Sequence, residues 1–496
     1  MREAPTVYRS AFGLPVQLKV VQRVVGILLT LFSATMLPPV AVGAIYRDGA
    51  IVPFLGAFAT TLATGLLLWL PVRRRRAALK LRDGFVVVVA FWMVLGVFGA
   101  LPLLLYSPLD LSVSAAIFES MSGLTTTGAT LIVGLDRLPH SILFYRQQMQ
   151  WFGGMGIIVL AIAVLPILGI GGQQLFKAET PGITKEKLTP RIAQTAKALW
   201  FIYVGLTAAC ALAYWAAGMD AFDAICHAFS TVAIGGFSTH DNSIGYFDSS
   251  VIELIATTFM LISAVNFALH FMAARKLDAS HYWRDQEFRV FVGIMVSLAL
   301  VTSGYLWWTG TSGPKDSIVN GLFHVVSIGT TTGFTSEAYF DWPGFLPILL
   351  LFASFSGGCT GSTGGGMKVL RVTLLVKQGL RELERLVHPN AKIVVKVGRQ
   401  SMSTRMMELV WGFFAAYVGL LTIMLLLLMA AGHDQVTAFS AVVACLNNLG
   451  PGLGDVAANY SSLDDFSYAV LSIAMLFGRL EIFTLLVILT PAFWRV

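Results

Sequence analysis

Ten apolar runs, each long enough to cross a bilayer, limit what this chain can fold into. A spanning helix needs about 20 residues, and inside the hydrocarbon every backbone polar group must be paired within the protein. Of the 496 residues, 56% are hydrophobic and 12% are charged, which excludes a soluble domain. The sequence therefore predicts an all-α polytopic membrane protein with runs at Val24–Tyr46, Ile51–Val72, Phe85–Tyr106, Ile142–Ile170, Leu199–Gly218, Val251–Ala274, Val290–Trp308, Phe345–Val376, Leu409–Ala431 and Phe466–Trp494.

Lysine and arginine residues are concentrated in alternate loops, and the loop 310–344 on the opposite side contains only Lys315. Residues 73–82 and 368–405 are strongly basic, whereas 219–250 and 432–468 contain neither residue type. Because positive residues stay on the cytoplasmic side of a membrane, both termini are predicted to be cytoplasmic. The net charge of +7 follows mostly from this topology, so no nucleic-acid partner is predicted.

A fourfold internal repeat follows the first two runs. Four glycines, Gly128, Gly236, Gly333 and Gly450, can be aligned with an apolar residue eleven positions before each. Sixteen positions before each glycine stands a serine or aspartate, the residue types that cap helix N-termini. Each unit therefore reads as a span, a capped helix too short to cross the bilayer, a loop and a second span. The predicted caps are Ser112, Asp220, Ser317 and Asp434.

The loops that contain these glycines are predicted to line a pore around a pseudo-fourfold axis. An extended loop can turn its carbonyl oxygens inward and replace the hydration shell of a cation. Glycine permits positive φ and close backbone approach, and the C-terminal ends of the short helices favour positive charge. A single threonine-rich turn would be a weak signal, and only loops 1 and 3 share the threonines. The loops are loop 1 (Leu124–Thr130), loop 2 (Val232–Ser238), loop 3 (Gly329–Thr335) and loop 4 (Leu446–Gly452).

The repeat predicts four parallel-topology span–short-helix–loop–span units preceded by a pair of transmembrane helices. The expected boundaries are 1–82 for the helix pair, 83–176 for the first unit, 177–284 for the second, 285–403 for the third and 404–496 for the fourth. The third unit includes a basic, amphipathic segment, residues 368–405, predicted to form a cytoplasmic helix or hairpin.

The run Phe345–Val376 is interrupted by SGGCTGSTGGGMK (Ser356–Lys368), here called the glycine-rich loop. Each glycine in a helix interior costs up to about 1 kcal/mol relative to alanine, which favours an unwound segment. In the functional interpretation, this unwound segment obstructs the pore and moves. A small-residue seam between packed helices is the alternative. The segment lacks the GKS or GKT ending of a nucleotide-binding P-loop. Its glycines are Gly357, Gly358, Gly361, Gly364, Gly365 and Gly366.

Arg479 lies near the middle of the last apolar run. An arginine there is costly unless it meets water or a partner, and its depth makes snorkelling to the surface a poor explanation. Glu481 is one possible partner, and a water-filled pathway is the other explanation.

Several motifs resemble the Trk/Ktr/HKT superfamily of potassium transporters, and within it the TrkH branch, over essentially the whole chain. They are FESMSGLTTTGAT (Phe118–Thr130), QWFGGMGIIVLA (Gln150–Ala161), HAFSTVAIGGFSTHD (His227–Asp241), VSIGTTTGFTS (Val326–Ser336), GGCTGSTGGGMKV (Gly357–Val369) and LNNLGPG (Leu446–Gly452).

The resemblance implies potassium uptake across the bacterial inner (cytoplasmic) membrane through a carbonyl-lined selectivity filter. It implies that the four aligned glycines belong to the filter, that the glycine-rich loop is an intramembrane gate, and that Arg479 faces the pore. Potassium is the transported ion, and no organic cofactor and no enzymatic activity are expected in this chain. The implied coordinating carbonyls are those of Thr126, Thr127, Ile234, Gly235, Thr331, Thr332, Asn448 and Leu449.

The resemblance also implies partners. The segment 368–405 is expected to dock a TrkA-type cytosolic nucleotide-binding regulator, although anionic membrane lipid could bind it instead. A homodimer is expected from the family. Channel-like flux and proton- or sodium-coupled symport both remain open. The alternative function is an ion-coupled secondary transporter of an organic solute, but such proteins usually contain inverted repeats.

Overall fold

The computed structural model describes residues 16–74, 81–167, 192–391, 393–398 and 400–495. Within these residues the regular secondary structure is helical apart from one antiparallel hairpin of strands β1 (Lys396–Val397) and β2 (Gln400–Ser401). The helices are α1 (Leu18–Ser33), α2 (Leu37–Tyr46), α3 (Ile51–Trp69), α4 (Leu81–Gly99), α5 (Leu101–Leu105), α6 (Val113–Leu124), α7 (His140–Ile167), α8 (Ile192–Ala216), α9 (Ala221–Ala233), α10 (Ser250–Ser263), α11 (Phe267–Lys276), α12 (Ser280–Arg284), α13 (Gln286–Trp308), α14 (Pro314–Gly329), α15 (Leu346–Ala353), α16 (Val369–Val387), α17 (Thr404–Ala430), α18 (Gln435–Leu446), α19 (Asp465–Arg479), α20 (Phe483–Leu489) and α21 (Pro491–Trp494).

The prediction of a multi-span helical protein is confirmed, but not every predicted run is one straight helix. Among the described residues, six helical segments are long and apolar enough to span a membrane. Two further runs are bent pairs, α10 with α11 at 92° and α19 with α20 at 115°. Helix α7 turns at Gly156, and the run Phe345–Val376 is divided into α15 and α16. The basic residues 75–80 and the predicted unit boundary at 176 lie outside the described residues.

Three of the four short helices begin at the predicted caps. The side chains of Ser112, Asp220 and Asp434 accept hydrogen bonds from backbone N–H groups in the first turns of α6, α9 and α18. The prediction of Ser317 as a cap is wrong, because α14 starts a turn earlier at Pro314 and Ser317 lies inside it. Proline is preorganised for the first helical position, where its missing N–H is not needed.

The short helices are held in a closed cycle of contacts. Each packs against the spans of its own unit, and each also packs against a helix of the preceding unit. Thus α6 contacts α19, α9 contacts α7, α14 contacts α10 and α18 contacts α15. This cycle brings the C-terminal ends of the short helices, and the loops that follow them, into one region.

The basic segment after the glycine-rich loop contains both a helix and a hairpin. Helix α16 is amphipathic and packs against α17, and the hairpin pairs Lys396 with Ser401. A small apolar cluster joins α16, the hairpin segment and α17, formed by Leu370, Leu374, Val395, Met407 and Val410.

Candidate functional site

The four short helices end in the same backbone motif. In each, the residue before the aligned glycine donates its N–H to the carbonyl five positions earlier, at 2.7–2.9 Å. The residue before that one donates to the carbonyl three positions earlier, at 3.0–3.2 Å. These two bonds form a Schellman-type C-cap, whose left-handed position is usually glycine. Here that position is occupied by Thr126 (φ 55°), Ile234 (φ 55°), Thr331 (φ 70°) and Asn448 (φ 53°).

Ile234 is the most unusual of these residues. A β-branched side chain at positive φ is rare, and the left-handed conformation costs an L-residue about 1–2 kcal/mol. Ile234 is nevertheless fully buried, in an apolar cluster with Val265 and Val443. Such strain persists only where the surrounding structure imposes it, and it concentrates at functional sites.

The aligned glycines bring the four loops together in a ring. All four have positive φ, between 80° and 100°. A Cβ added to any of them would lie closer than 3.0 Å to a carbonyl oxygen of a neighbouring loop, so a side chain there would displace backbone. The approaches form a closed cycle: Gly128 meets the carbonyl of Gly235, Gly236 that of Thr332, Gly333 that of Leu449 and Gly450 that of Thr127.

Buried polar side chains brace the loops from behind. The Glu119 carboxylate accepts a hydrogen bond from Thr130 in loop 1 and pairs with Arg146 at 2.9 Å, both charges being buried. At the matching position of the second unit, His227 bonds the Ser238 hydroxyl at 2.9 Å. His324 accepts a weaker bond, at 3.4 Å, from a backbone N–H just beyond loop 3. The polar atoms of these side chains bond to other groups of the protein. Among the described residues, no three or more His, Cys, Asp or Glu side chains lie close enough together to bind a metal ion.

The glycine-rich loop lies against the ends of the short helices. The N–H of Gly365 donates to the Thr331 hydroxyl at 2.7 Å, and the N–H of Gly366 donates to the Asn447 carbonyl at 2.9 Å. The Thr363 hydroxyl donates to the Val232 carbonyl at 3.1 Å. The segment therefore touches the second, third and fourth units, and it is an unwound loop rather than a continuous helix seam.

At each of the six glycine positions of this loop, the structure explains why a residue with a side chain would fit poorly. Gly357, Gly361 and Gly366 have positive φ, of 57°, 80° and 70°. A Cβ on any of the remaining three would come within 3.0 Å of neighbouring atoms, because the backbones approach closely there. These three are Gly358, Gly364 and Gly365.

Two further contacts hold the loop, and the sequence did not predict them. At the 92° break between α10 and α11, the Ala264 carbonyl accepts from the Cys359 N–H at 2.8 Å. At the start of α13, one carboxylate oxygen of Glu287 accepts from the N–H groups of Thr360, at 2.7 Å, and Leu370, at 3.2 Å. Glu287 thereby ties an early residue of the loop to the first turn of α16.

Arg479 binds the glycine-rich loop at the end of α19. Its guanidinium donates to the Thr363 carbonyl at 3.2 Å and to the carbonyls of Gly153 and Gly154 on α7, and it lies 5.4 Å from the centre of the Trp92 ring. The possible partner Glu481 instead pairs with Arg371 at 2.6 Å.

Gln150 is a further residue in the site to which sequence reasoning gave no role. It is fully buried on α7, and its amide bonds the backbone of loop 2 on both sides of Gly236. A polar amide inside an apolar run is the signal that could have identified it. Glu287 and Arg371 gave no such signal, since they stand at the ends of runs among other charged residues.

Comparison with known proteins places this arrangement in a family. A profile of the TrkH family, described as cation transport protein, matches residues 51–495. The chain belongs to the TrkH family of cation transport proteins. Membership agrees with the prediction of a transport protein rather than an enzyme.

Relatives match over nearly their whole length. The Trk system potassium uptake protein TrkH of Vibrio parahaemolyticus is 58% identical over 483 residues, 97% of this chain and all of the relative. The TrkH protein of Escherichia coli K12 is 55% identical, covering 96% of this chain and 99% of the relative. The crystal structure of the potassium transporter TrkH from Vibrio parahaemolyticus superposes with a TM-score of 0.89 at 56% identity, covering 97% of this chain and 100% of that one.

Proposed function

We propose that this protein takes up potassium across the bacterial inner (cytoplasmic) membrane through a pore whose filter consists of the carbonyl oxygens of loops 1–4. The observation that carries the proposal is the closed cycle in which each aligned glycine meets a carbonyl of a neighbouring loop. The choice of ion is supported by family membership and by relatives that are potassium uptake proteins.

Potassium would lose its hydration shell to backbone oxygens, since the filter loops contain no charged side chain. The C-terminal dipoles of the four short helices would add a favourable negative potential where the loops meet. The filter would comprise Thr126, Thr127, Gly128, Ile234, Gly235, Gly236, Thr331, Thr332, Gly333, Asn448, Leu449 and Gly450.

The four units would surround the pore with pseudo-fourfold symmetry in parallel topology. The shared C-cap and the contact cycle of the short helices support this organisation. The boundaries proposed from the sequence are retained: 1–82 for the outer helix pair, then 83–176, 177–284, 285–403 and 404–496.

The glycine-rich loop would be the gate. It bonds three of the four units and also Arg479, so its displacement would require several hydrogen bonds to break together. Arg479 would hold the loop closed and place a positive charge beside the cation pathway.

A TrkA-type nucleotide-binding regulator would open this gate from the cytoplasm by docking on residues 368–405. The support is that α16 follows the loop directly and exposes Leu383 and Leu386, and that the relatives belong to a Trk system. A homodimer in contact with membrane lipid is proposed from the family.

The test is cation flux in proteoliposomes containing purified protein, with potassium, rubidium, sodium and lithium compared. Gly333→Ser would introduce a side chain at φ 85° into the ring and should abolish selectivity. Gly293→Ser is the matched control, since Gly293 lies on α13 of the same unit and an added Cβ there meets no atom within 4 Å.

The expected result is potassium and rubidium flux above lithium flux, with selectivity lost only in Gly333→Ser. If the protein is silent alone, the regulator is added. Absence of cation flux even with the regulator would refute the pore and favour transport of an organic solute.

A further inference from the structure

Different side-chain hydrogen bonds, here called braces, restrain the backbone around the aligned glycine in each of the four loops. In loop 1 the hydroxyls of Thr125 and Thr127 bond each other at 2.8 Å, and in loop 3 those of Thr330 and Thr332 do so at 2.8 Å. The first threonine of each pair also donates to a carbonyl of its own short helix, at 2.6 and 2.7 Å. Ahead of the aligned glycine, loops 1 and 3 therefore each have an internal hydroxyl brace, and Thr127 of loop 1 also accepts a bond from the Asn448 amide of loop 4 at 3.0 Å.

Loop 2 has no hydroxyl at these positions, where Ala233 and Gly235 stand. Its brace comes from outside the loop. The Gln150 side chain on α7 donates from Nε2 to the Gly235 carbonyl at 2.6 Å and accepts at Oε1 from the Phe237 N–H at 3.0 Å. One amide thus holds the carbonyl before Gly236 and the N–H after it.

Loop 4 also uses outside partners. Asn447 accepts from the Tyr417 hydroxyl at 2.6 Å and donates to the Ser354 hydroxyl at 2.9 Å. The Tyr460 hydroxyl donates to the Gly450 carbonyl at 2.7 Å. The ring therefore alternates between loops with internal braces and loops with external braces.

We propose that Gln150 is a positioning residue that sets the selectivity of the pathway among alkali cations, by fixing the Gly235 carbonyl. The inference rests on the proposed function of the loops as a filter. A carbonyl oxygen has two lone pairs, so the Gln150 amide can occupy one while the other faces a cation. Selectivity depends on either the position or the dipole strength of such carbonyls, and Gln150 acts on both.

Steric exclusion supports the assignment. A Cβ on Gly235 would lie 2.5 Å from Oε1 of Gln150, closer than real Cβ contacts. A threonine at 235 and a glutamine at 150 therefore cannot coexist without movement. Gly235 is not among the residues with positive φ, so an L-residue is sterically acceptable there once Gln150 is removed. Loop 2 can have an internal or an external brace, but not both.

The main test is Gln150→Glu, which as a carboxylate keeps the size of the side chain and its acceptor for Phe237, but removes the donor to Gly235 and adds a negative charge that the control variant also carries. Gln148→Glu is the matched control. Gln148 lies on the same helix, is also buried, and donates to the carbonyl of Thr35 at 2.7 Å, away from the loops. Loss of one neutral hydrogen bond corresponds to about a threefold to tenfold change in the potassium-to-sodium flux ratio. The control should retain the wild-type ratio.

A brace exchange gives a second, independent result. The triple variant Gln150→Ala, Ala233→Thr, Gly235→Thr replaces the external brace with the hydroxyl pair of loops 1 and 3. It should restore most of the ratio lost in Gln150→Ala, whereas Gly235→Thr with Gln150 retained should displace the Gln150 amide and lower the ratio.

The two hypotheses fail in different ways. Absence of cation flux in the wild-type protein, with or without regulator, would refute the proposed function. A selective wild type with an equally selective, monodisperse Gln150→Glu variant would overturn the role of Gln150 and leave the filter standing. If Gln150→Glu does not fold, equal selectivity of Gln150→Ala and wild type would overturn it instead.

Discussion

Replacing Arg479 by alanine should raise potassium flux in the absence of a regulator. The guanidinium donates to the Thr363 carbonyl in the glycine-rich loop, and it also anchors to the Gly154 carbonyl on α7. In the alanine variant the loop loses this anchor, and the proposed cation pathway loses a fixed positive charge. Both changes favour cation passage.

The size of the effect follows from the loop contact. A hydrogen bond to a charged group contributes about 1.5–3 kcal/mol net. One such bond joins Arg479 to the loop, so losing it should shift the closed–open equilibrium by about tenfold to a hundredfold. Removal of the charge acts in the same direction and adds to the measured flux.

Rubidium uptake into potassium-loaded proteoliposomes measures this change without a regulator. Arg479→Gln keeps a hydrogen-bond donor but removes the charge. Arg479→Lys keeps the charge but loses the planar guanidinium with its several donors. Comparing the two variants separates the effect of the hydrogen bond on flux from the effect of the charge. Arg289→Ala, on the exposed face of α13, is the control. Unchanged or lower flux in Arg479→Ala protein of normal abundance would refute the reasoning.

Three further predictions follow from individual contacts. Glu287→Gln should raise the basal flux by about threefold to tenfold, since a neutral acceptor holds the glycine-rich loop less strongly; the same uptake assay measures it. Asp434→Ala removes the N-cap of α18 and should lower stability by about 1 kcal/mol, seen as earlier thermal unfolding in detergent. Burial disfavours charge on His240, but its hydrogen bonds to Asp223 and Asp136 outweigh this and raise its pKa above 6.5. The stability that it contributes is then present below pH 6.5 and is lost as the pH rises through the raised pKa, so thermal unfolding should occur earlier with rising pH in the wild type and not in His240→Gln.

Each of these predictions has an outcome that contradicts it. Wild-type basal flux in Glu287→Gln would mean that the carboxylate does not restrain the loop. Unaltered thermal unfolding of Asp434→Ala would mean that packing alone fixes the start of α18. The same pH dependence in His240→Gln as in the wild type would assign that dependence to another group.

Much of the site follows from local sequence patterns. The aligned glycines and the caps Ser112, Asp220 and Asp434 were predicted from spacing, because a helix cap and a C-terminal turn depend on bonds between residues a few positions apart. The cap at Ser317 was wrong because the same local rules favoured Pro314, which stands three residues earlier.

The partners of these segments could not be predicted in the same way. Gln150 lies 85 positions from Gly235 and Arg479 lies 116 from Thr363, and no local spacing relates them. The 92° break between α10 and α11 is explained only by the tertiary structure, in which the glycine-rich loop bonds to the backbone at the break.

The sequence by itself determined the membrane class, the four loops with aligned glycines and the interruption of an apolar run by the glycine-rich loop. These features depend on hydrophobicity, glycine content and bonds between near neighbours. The tertiary structure decided which loop meets which, which loops brace themselves and which depend on another helix, and what Arg479 binds. Those contacts join residues distant in the chain, so they exist only after the helices have packed.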